Sequence, residues 1–357
     1  MLWLLVLLGC HRAATPGKPV DDSAQSAVDS AEPDTAPPVL CPGPPPVARP
    51  QDVVLHAEGE PLTKVAGLFA LGTVDCAGPE CTVDLQGTLK VKRSDERPRI
   101  VRVTANSLLD WDVEEHCGVG INEVGTFDNG TLGTASLWPT PTGLTQWYRA
   151  DDVDETQVIA RSTSTDGCTW AVDGTPVVSP TEPWADKAVI APHVIAVGDE
   201  LWMYYRGSRH GNQGLSDIGL QTSVDGITWT PHPDNPVFRR SDAGWDASLL
   251  ADPHVWVHQD RFLMVYSGHD RPFTPEQTFD EVGIGKQLGI AASWDGVHWE
   301  ACSTAPVLVD GVKSDNAFVI DNGDGVFVYY RQTARADGRG GILRMVHWPG
   351  WPGDLTR

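Results

Sequence analysis

Residues 250–268 read LADPHVWVHQDRFLMVYSG, and residues 190–207 read IAPHVIAVGDELWMYYRG, nearly the same pair of strands with one chemical change. Asp252 stands in one copy where Ala191 stands in the other. Four segments end a strand in an aromatic pair or near pair: Trp147-Tyr148, Tyr204-Tyr205, Val265-Tyr266 and Tyr329-Tyr330. Aligning on these brings Thr134, Ala191, Asp252 and Asn316 to one position, and Ser136, His193, His254 and Phe318 to another two residues on. Arg149, Arg206, Ser267 and Arg331 follow the aromatic pairs. An ionised carboxylate accepts hydrogen bonds and protons, so Asp252 is the first candidate for a site built on a repeated frame. His193 and His254 could bind a ligand, hold a metal or relay a proton near neutrality. They could equally hydrogen-bond inside the molecule and hold neighbouring repeats together. Three arginines at equivalent places could clamp an anionic ligand through their planar forks, or pair with the abundant Asp residues around them.

Further carboxylates recur ahead of the strands: Asp128 in FDNG, Asp186 in WADK and Asp246 in WDAS, with Asp315 directly before Asn316. A residue present in every repeat is more often part of a turn than of a single reactive centre. Glu281 lies in the long FDEVGIGKQLG insertion, and long loops on a rigid scaffold often carry binding function. Trp184 and Trp245 adjoin these acids and could stack on the apolar face of a ring or fill the core.

What positions these residues is a period of short strands. STDGCTW (164–170), SVDGITW (223–229) and SWDGVHW (293–299) share Ser, Asp-Gly and Trp at fixed offsets. The pattern is a tight turn whose Gly takes a positive backbone angle while Trp starts the next strand. With Trp111, the tryptophans at 170, 229 and 299 are spaced 59, 59 and 70 residues. No stretch has helical periodicity. Alternating strands on such a period predict an all-β chain, a five-bladed β-propeller with repeats near 52–118, 119–178, 179–238, 239–308 and 309–350. The segment 52–118 lacks the turn motif and is either the first blade or a small β-appendage.

The chain has 357 residues and a formal net charge of -22. That balance argues against nucleic acid or an anionic lipid surface as main partner, because such binding needs surplus Lys and Arg. Residues 1–10, MLWLLVLLGC, form an apolar run too short to span a bilayer. Residues 11–51 are rich in Pro, Ser, Ala and Asp and are expected to form a disordered tether ahead of a domain over 52–357. Besides Cys10 there are six cysteines, an even number that favours disulfides in an exported chain. Cys76 and Cys81 flank a short turn and make the best pair. A zinc site is the rival for them, but no second close pair or His cluster accompanies it.

The leader Leu7-Leu8-Gly9-Cys10 resembles the lipobox of bacterial lipoproteins, which implies lipidation of Cys10 and a membrane anchor in the cell envelope. The combination of A/DPHV, a hairpin running to MYYRG or MVYSG, and S-x-DG-x-x-W resembles the five-bladed β-propeller glycoside hydrolases, which include arabinanases, β-xylosidases, invertases and levansucrases. The resemblance covers about residues 119–347. It implies a poly- or oligosaccharide partner at the channel mouth and cleavage by two carboxylates whose environments drive their pKa values apart. The chain departs from the arabinanase-like pattern: Thr134 replaces the first Asp, His193 occupies the Ala-Pro-x position, and no Glu precedes Pro253. Asp252 in LADPHVW is similar to the Arg-Asp-Pro segment of the invertase-like enzymes, whose Asp binds sugar hydroxyls. The resulting expectation is glycan binding and hydrolysis, with Asp252 on the sugar, Asp128 or Asp186 as base, and the acid unassigned. His193, His254, Arg149, Arg206, Arg331, Asp246, Asn316, Trp184 and Trp245 are the expected lining. The alternative is a carbohydrate-binding or protein-interaction propeller without catalysis. No cofactor is expected, and no residue pattern calls for a channel calcium.

Overall fold

The computed structural model describes residues 40–58, 62, 64–77, 80–92, 98–120, 127–152, 156–209, 215–270, 286–308, 313–332 and 341–353. The leader with Cys10, most of the tether and Glu281 lie outside the described residues. All the regular structure described is β-strand.

After the short β1 (Gln51–Asp52) and β2 (Val54–Ala57), the strands β3 (Lys64–Ala77), β4 (Glu80–Lys92), β5 (Arg99–Ser107) and β6 (Asp110–Val119) build a sheet ordered β2-β6-β5-β4-β3. Next come three antiparallel meanders. The first is β7 (Thr131–Thr140), β8 (Gly143–Asp151), β9 (Gln157–Ser164) and β10 (Ala171–Val172). The second is β11 (Ala188–Val197), β12 (Glu200–Ser208), β13 (Ser216–Ser223) and β14 (Thr230–Pro231). The third is β15 (Leu249–His258), β16 (Arg261–His269), β17 (Gln287–Ser293) and β18 (Glu300–Ala301). Single parallel pairs, Ala188 with Gln157 and Ser216 with Leu249, link these three edge to edge. The last sheet runs β19 (Ser314–Asp321), β20 (Gly325–Gln332) and β21 (Ile342–Pro349), with β1 paired outside β21. The strands β3, β7, β11, β15 and β19 pack each against the next, and β19 against β3.

Covered on both faces by neighbouring meanders, the middle strands are apolar almost throughout: Met203, Tyr204 and Tyr205 in β12, and Leu263 to Tyr266 in β16, are fully buried. The Asp-Gly turns lock the edges. In each, the Ser hydroxyl accepts the Gly N–H (Ser164 from Gly167, Ser223 from Gly226, Ser293 from Gly296), at 2.8, 2.9 and 2.9 Å. One Asp oxygen accepts two backbone N–H groups beyond, as Asp166 does from Cys168 and Thr169. Those donors hold the Asp166 and Asp225 carboxyls down at about 2. The glycines sit at φ 68°, 68° and 74°, where a side chain is strained. The turns also bolt neighbouring meanders together, since Trp147 Nε1 donates to Gly226 O and the Tyr204 hydroxyl to Gly296 O.

Disulfides join Cys41 to Cys302, Cys76 to Cys81 and Cys117 to Cys168. The Cys76–Cys81 bond crosses the end of the β3-β4 hairpin, as the sequence suggests. The first disulfide changes the reading of the Pro-rich tract. From Cys41 onward the tract is held to the domain, by that bond, by Trp351 Nε1 donating to Gly43 O, and by β1 on β21. Residues 41–50, grouped with the tether by composition, are thus held against the rest of the described domain.

Candidate functional site at the channel mouth

Each of β3, β7, β11, β15 and β19 slips its pairing register by one residue near its start, between Ala66/Phe69, Leu132/Ala135, Ile190/His193, Ala251/His254 and Asp315/Phe318. Such a bulge bends the strand and re-aims the side chains beside it. At the slip Gly67, Ala191, Asp252 and Asn316 take positive φ of 62°, 54°, 50° and 53°. Three are not glycine, an uncommon conformation that costs on the order of 1 kcal/mol each. The slips place Gly67, Thr134, Ala191, Asp252 and Asn316 around one cavity. The alignment on aromatic pairs thus finds four of these five positions. The fifth, Gly67, is packed so tightly that an added Cβ would lie 2.3 Å from the Thr134 methyl.

The ring below is closed. Phe69, His193, His254 and Phe318 fill it, with His193 and His254 centroids 4.0 Å apart and Phe69 5.5 Å from His193. His193 Nε2 donates to Val255 O at 2.8 Å, and His254 bonds Val319 O. Ser136 does the same work by accepting Val194 N–H at 2.9 Å. Ser136, His193 and His254 thus each tie their strand to the next. Burial pushes His193 down to about 4, against the Val255 bond, and pushes His254 well below its usual value with help from His193. These are neutral structural histidines at the bottom of the cavity. The space within is about 30 Å³, room for a water or so. A group the size of a six-membered ring does not fit inside it, and Asp252 lies at its lining.

Around the mouth lies a dense charge cluster. Lys286 Nζ is 3.3 Å from Asp252 and 3.9 Å from Asp315; Lys313 Nζ is 3.5 Å from Asp315. Arg331 grips Asp315 through Nε and Nη2 at 2.6 and 2.5 Å. Burial alone would raise the Asp252 carboxyl, and Asp315 pushes the same way; Lys286, Arg206 and the Ser267 hydroxyl overcome both and hold it below the usual range. Asp315, wholly buried, is likewise driven far down by Arg331, Lys313 and Lys286 against its desolvation. Burial brings buried Arg206 down to about 10 and Lys313 to about 8, partly offset by Asp252 and Asp315 respectively. Arg149 feels Arg206 but grips Asp151 on its own strand, Nε to Oδ1 at 2.7 Å.

The other sequence candidates sit elsewhere. Asp128, Asp186, Asp246, Trp184 and Trp245 are not in the cavity lining. Asp128 is fully buried and faces the Tyr148 hydroxyl. Asp246 accepts the Tyr266 hydroxyl at 2.9 Å and the Ser241 hydroxyl. In the β11–β14 meander the matching partner is Glu182, which accepts the Tyr205 hydroxyl at 3.0 Å, while Asp186 is exposed. This recurrent acid-tyrosine contact was hidden because Glu182 precedes its tryptophan and Asp246 follows one. Trp184 and Trp245 lie over glycines. A Cβ on Gly207 would come 2.3 Å from Trp184, and one on Gly268 2.4 Å from Trp245. Trp245 also stacks on Tyr266, and Trp184 lies tilted against Tyr205. They are packing residues rather than open platforms. Lys286 and Lys313 carry no motif in the sequence; their signal is position, each one residue before a strand, β17 or β19.

A family model described as "Glycosyl hydrolases family 32 N-terminal domain" matches residues 145–279. None of the curated proteins matches the chain in sequence. Among solved structures, one described as "Glycoside hydrolase" is 17% identical with TM-score 0.63, covering 89% of this chain and 95% of that one. A thermostable family-43 glycoside hydrolase is 16% identical with TM-score 0.60, covering 80% and 89%. A family 117 glycoside hydrolase from the marine bacterium Zobellia galactanivorans is 13% identical with TM-score 0.59, covering 84% and 90%. The chain therefore has the propeller-type fold of the glycoside hydrolases. Fold alone does not carry their activity across.

Proposed function

We propose that this chain is an exported, lipid-anchored envelope protein with a five-bladed propeller that binds a poly- or oligosaccharide over the channel mouth. The observation that carries the binding reading is Asp252: of the five equivalent mouth positions it holds the carboxylate, lining the cavity and kept ionised by Lys286. An ionised carboxylate at a glycan site accepts hydrogen bonds from paired sugar hydroxyls. Five blades are supported by the five bulged strands meeting at one cavity, with β1 completing the last sheet. The lipobox-like leader supports the anchor, and loss of palmitate labelling in Cys10→Ser tests it.

Binding stands ahead of hydrolysis because cleavage needs a proton donor beside the nucleophile or base. The two carboxylates of the mouth, Asp252 and Asp315, are both held ionised. Hydrolysis is the second reading, favoured by Lys313, whose ammonium at about 8 could protonate a leaving oxygen near neutral pH. The deciding experiment incubates the chain and its Asp252→Asn variant with a broad panel of polysaccharides, measuring both retention and release of reducing ends. Retention lost in the variant, with no release by either protein, is the expected outcome. Release that the variant abolishes establishes a glycosidase. A panel on which neither protein binds or cleaves anything removes the glycan reading.

A further inference from the structure

The three disulfides differ in what must be built before they close. Cys76 and Cys81 are 5 residues apart and face each other across the end of the β3-β4 hairpin. Cys117 on β6 and Cys168 in the first Asp-Gly turn are 51 apart, with β7, β8 and β9 between them. Each of these bonds joins a cysteine to the next one along the chain. Cys41–Cys302 is of another kind: it spans 261 residues and encloses the other four cysteines.

The stretch that carries Cys41 rests on the far end of the chain. Trp351 Nε1 donates to Gly43 O at 2.8 Å, and Ala48 and Cys302 pack on the cluster that holds Trp348 and Trp351. Gln51 and Asp52 pair with Met345 and Arg344. The place of Cys41 beside Cys302 is therefore set by residues as late as Trp351. Until those residues have folded, chain entropy favours a nearer thiol. Closure falls as about the three-halves power of loop length, so a Cys41–Cys76 bond forms roughly twentyfold more readily than Cys41–Cys302.

We propose that this chain matures with a thiol–disulfide exchange partner, a reduced dithiol catalyst that reshuffles the early bonds of Cys41 until it reaches Cys302. A disulfide oxidant makes the first bonds by taking two electrons from each pair of thiols. A thiolate of the catalyst then attacks the Cys41 sulfur of a Cys41–Cys76 bond, forming a mixed disulfide and releasing Cys76 as a thiolate. The Cys302 thiolate attacks the same Cys41 sulfur and returns the catalyst's thiolate, so bonds are exchanged with no net transfer of electrons. The exported reading above enters only as the compartment in which this happens.

The test refolds the full chain carrying Cys10→Ser, which leaves the six paired cysteines as its thiols. The chain is reduced, unfolded and diluted into native buffer with diamide, a thiol-free oxidant, either alone or followed by reduced protein disulfide isomerase. Peptide mapping without reduction reads the share of Cys41 joined to Cys302. About fivefold or more of that bond with the isomerase than without it is expected. The double variant Cys41→Ser/Cys302→Ser should reach its two remaining bonds equally well in both arms, because each joins neighbours in sequence. Thermal melts show whether the variant has folded, and the two arms of the parent decide the proposal by themselves. Equal yields of Cys41–Cys302 with and without the isomerase overturn it. A double variant that gains as much from the isomerase as the parent overturns it too, since the need then lies outside Cys41. Absence of the bond from both arms removes its basis. None of these outcomes bears on the glycan or anchor readings, which have their own assays.

Discussion

The β11-β12 and β15-β16 hairpins have one backbone and two chemistries. Both slip register at the same place, both hold a non-glycine residue near φ +50°, and both follow it with Pro and His. One presents Ala191 to the cavity, the other Asp252. Because Ala191 bears the strained conformation without any polar group, the strain belongs to the turn of an inner strand into the mouth and does not mark a reactive residue. Gly67 and Asn316 repeat the device in β3 and β19. The difference is also shared out between copies. β12 carries Arg206 where β16 carries Ser267, and Arg206 lends its charge to Asp252 in the neighbouring hairpin. The site is thus made by two unequal copies together.

The largest expected effect concerns what the copies hold in common. His193 is neutral when folded, at about 4, against about 6.5 when unfolded. The unfolded chain therefore binds the proton first, and its stability contribution, complete above the unfolded value, is lost as pH falls from about 6.5 toward 4. The loss is about 3 kcal/mol by pH 4, and His254, facing His193, Phe69 and Phe318, shifts in the same direction. Urea unfolding between pH 7 and pH 4 should show a shallower acid limb in His193→Phe, since Phe69 and Phe318 already occupy equivalent floor positions. An unchanged limb would mean that carboxylates alone control acid unfolding. Next in size is Asp252→Ala, which makes the two hairpins alike. Glycan binding measured by calorimetry should fall about 100-fold, some 2.7 kcal/mol, with the fold retained because β11 tolerates Ala at this angle. Binding within twofold of the parent would move the ligand away from Asp252.

Much of this frame is legible in the chain. The Asp-Gly turns, the aromatic pairs and the four mouth positions from Thr134 to Asn316 follow from spacing, since each depends on local backbone geometry written in a short motif. Gly67 and Phe69 do not, because β4 carries no aromatic pair to anchor the alignment, though both line the same cavity. The charge cluster is equally hidden: Lys286 meets Asp252 and Asp315 from before β17, and Lys313 meets Asp315 from before β19, contacts set by how meanders pack. Asp128, Asp246, Trp184 and Trp245 are site candidates in the sequence for their place ahead of the strands, although recurrence warns of a structural part. Asp128 and Asp246 meet buried tyrosines, and the two rings cover glycines in the second and third meanders.

A smaller effect sharpens the asymmetry through pH. Lys313 is faced by Asp315, Arg331 and Lys286, and its ammonium loses its proton near pH 8. Any release of reducing ends should therefore fall between pH 7 and pH 9.5 as Lys313 ceases to be a proton donor, and Lys313→Gln should remove the fall. Release that is level across that range would exclude Lys313 as the acid.

The smallest effect isolates the shared backbone. Ala191→Gly removes about 1 kcal/mol of left-handed strain, against which stand a lost buried methyl beside Ala188 and Ile190 and the greater freedom of Gly in the unfolded chain. The three nearly cancel, so the melting temperature should move by less than about 1 °C for a domain of this size. Asp252→Gly relieves the same strain but strips Lys286 of its nearer carboxylate, so it should lower stability where Ala191→Gly leaves it nearly unchanged. A rise in both would mean that the Asp252–Lys286 pair contributes nothing to the fold, and that the carboxylate is kept for its ligand alone. A fall in both would show the strain to be already relaxed by the bulge, leaving the packing of the Ala191 methyl as the reason β11 carries Ala at the angle where β3 carries Gly67.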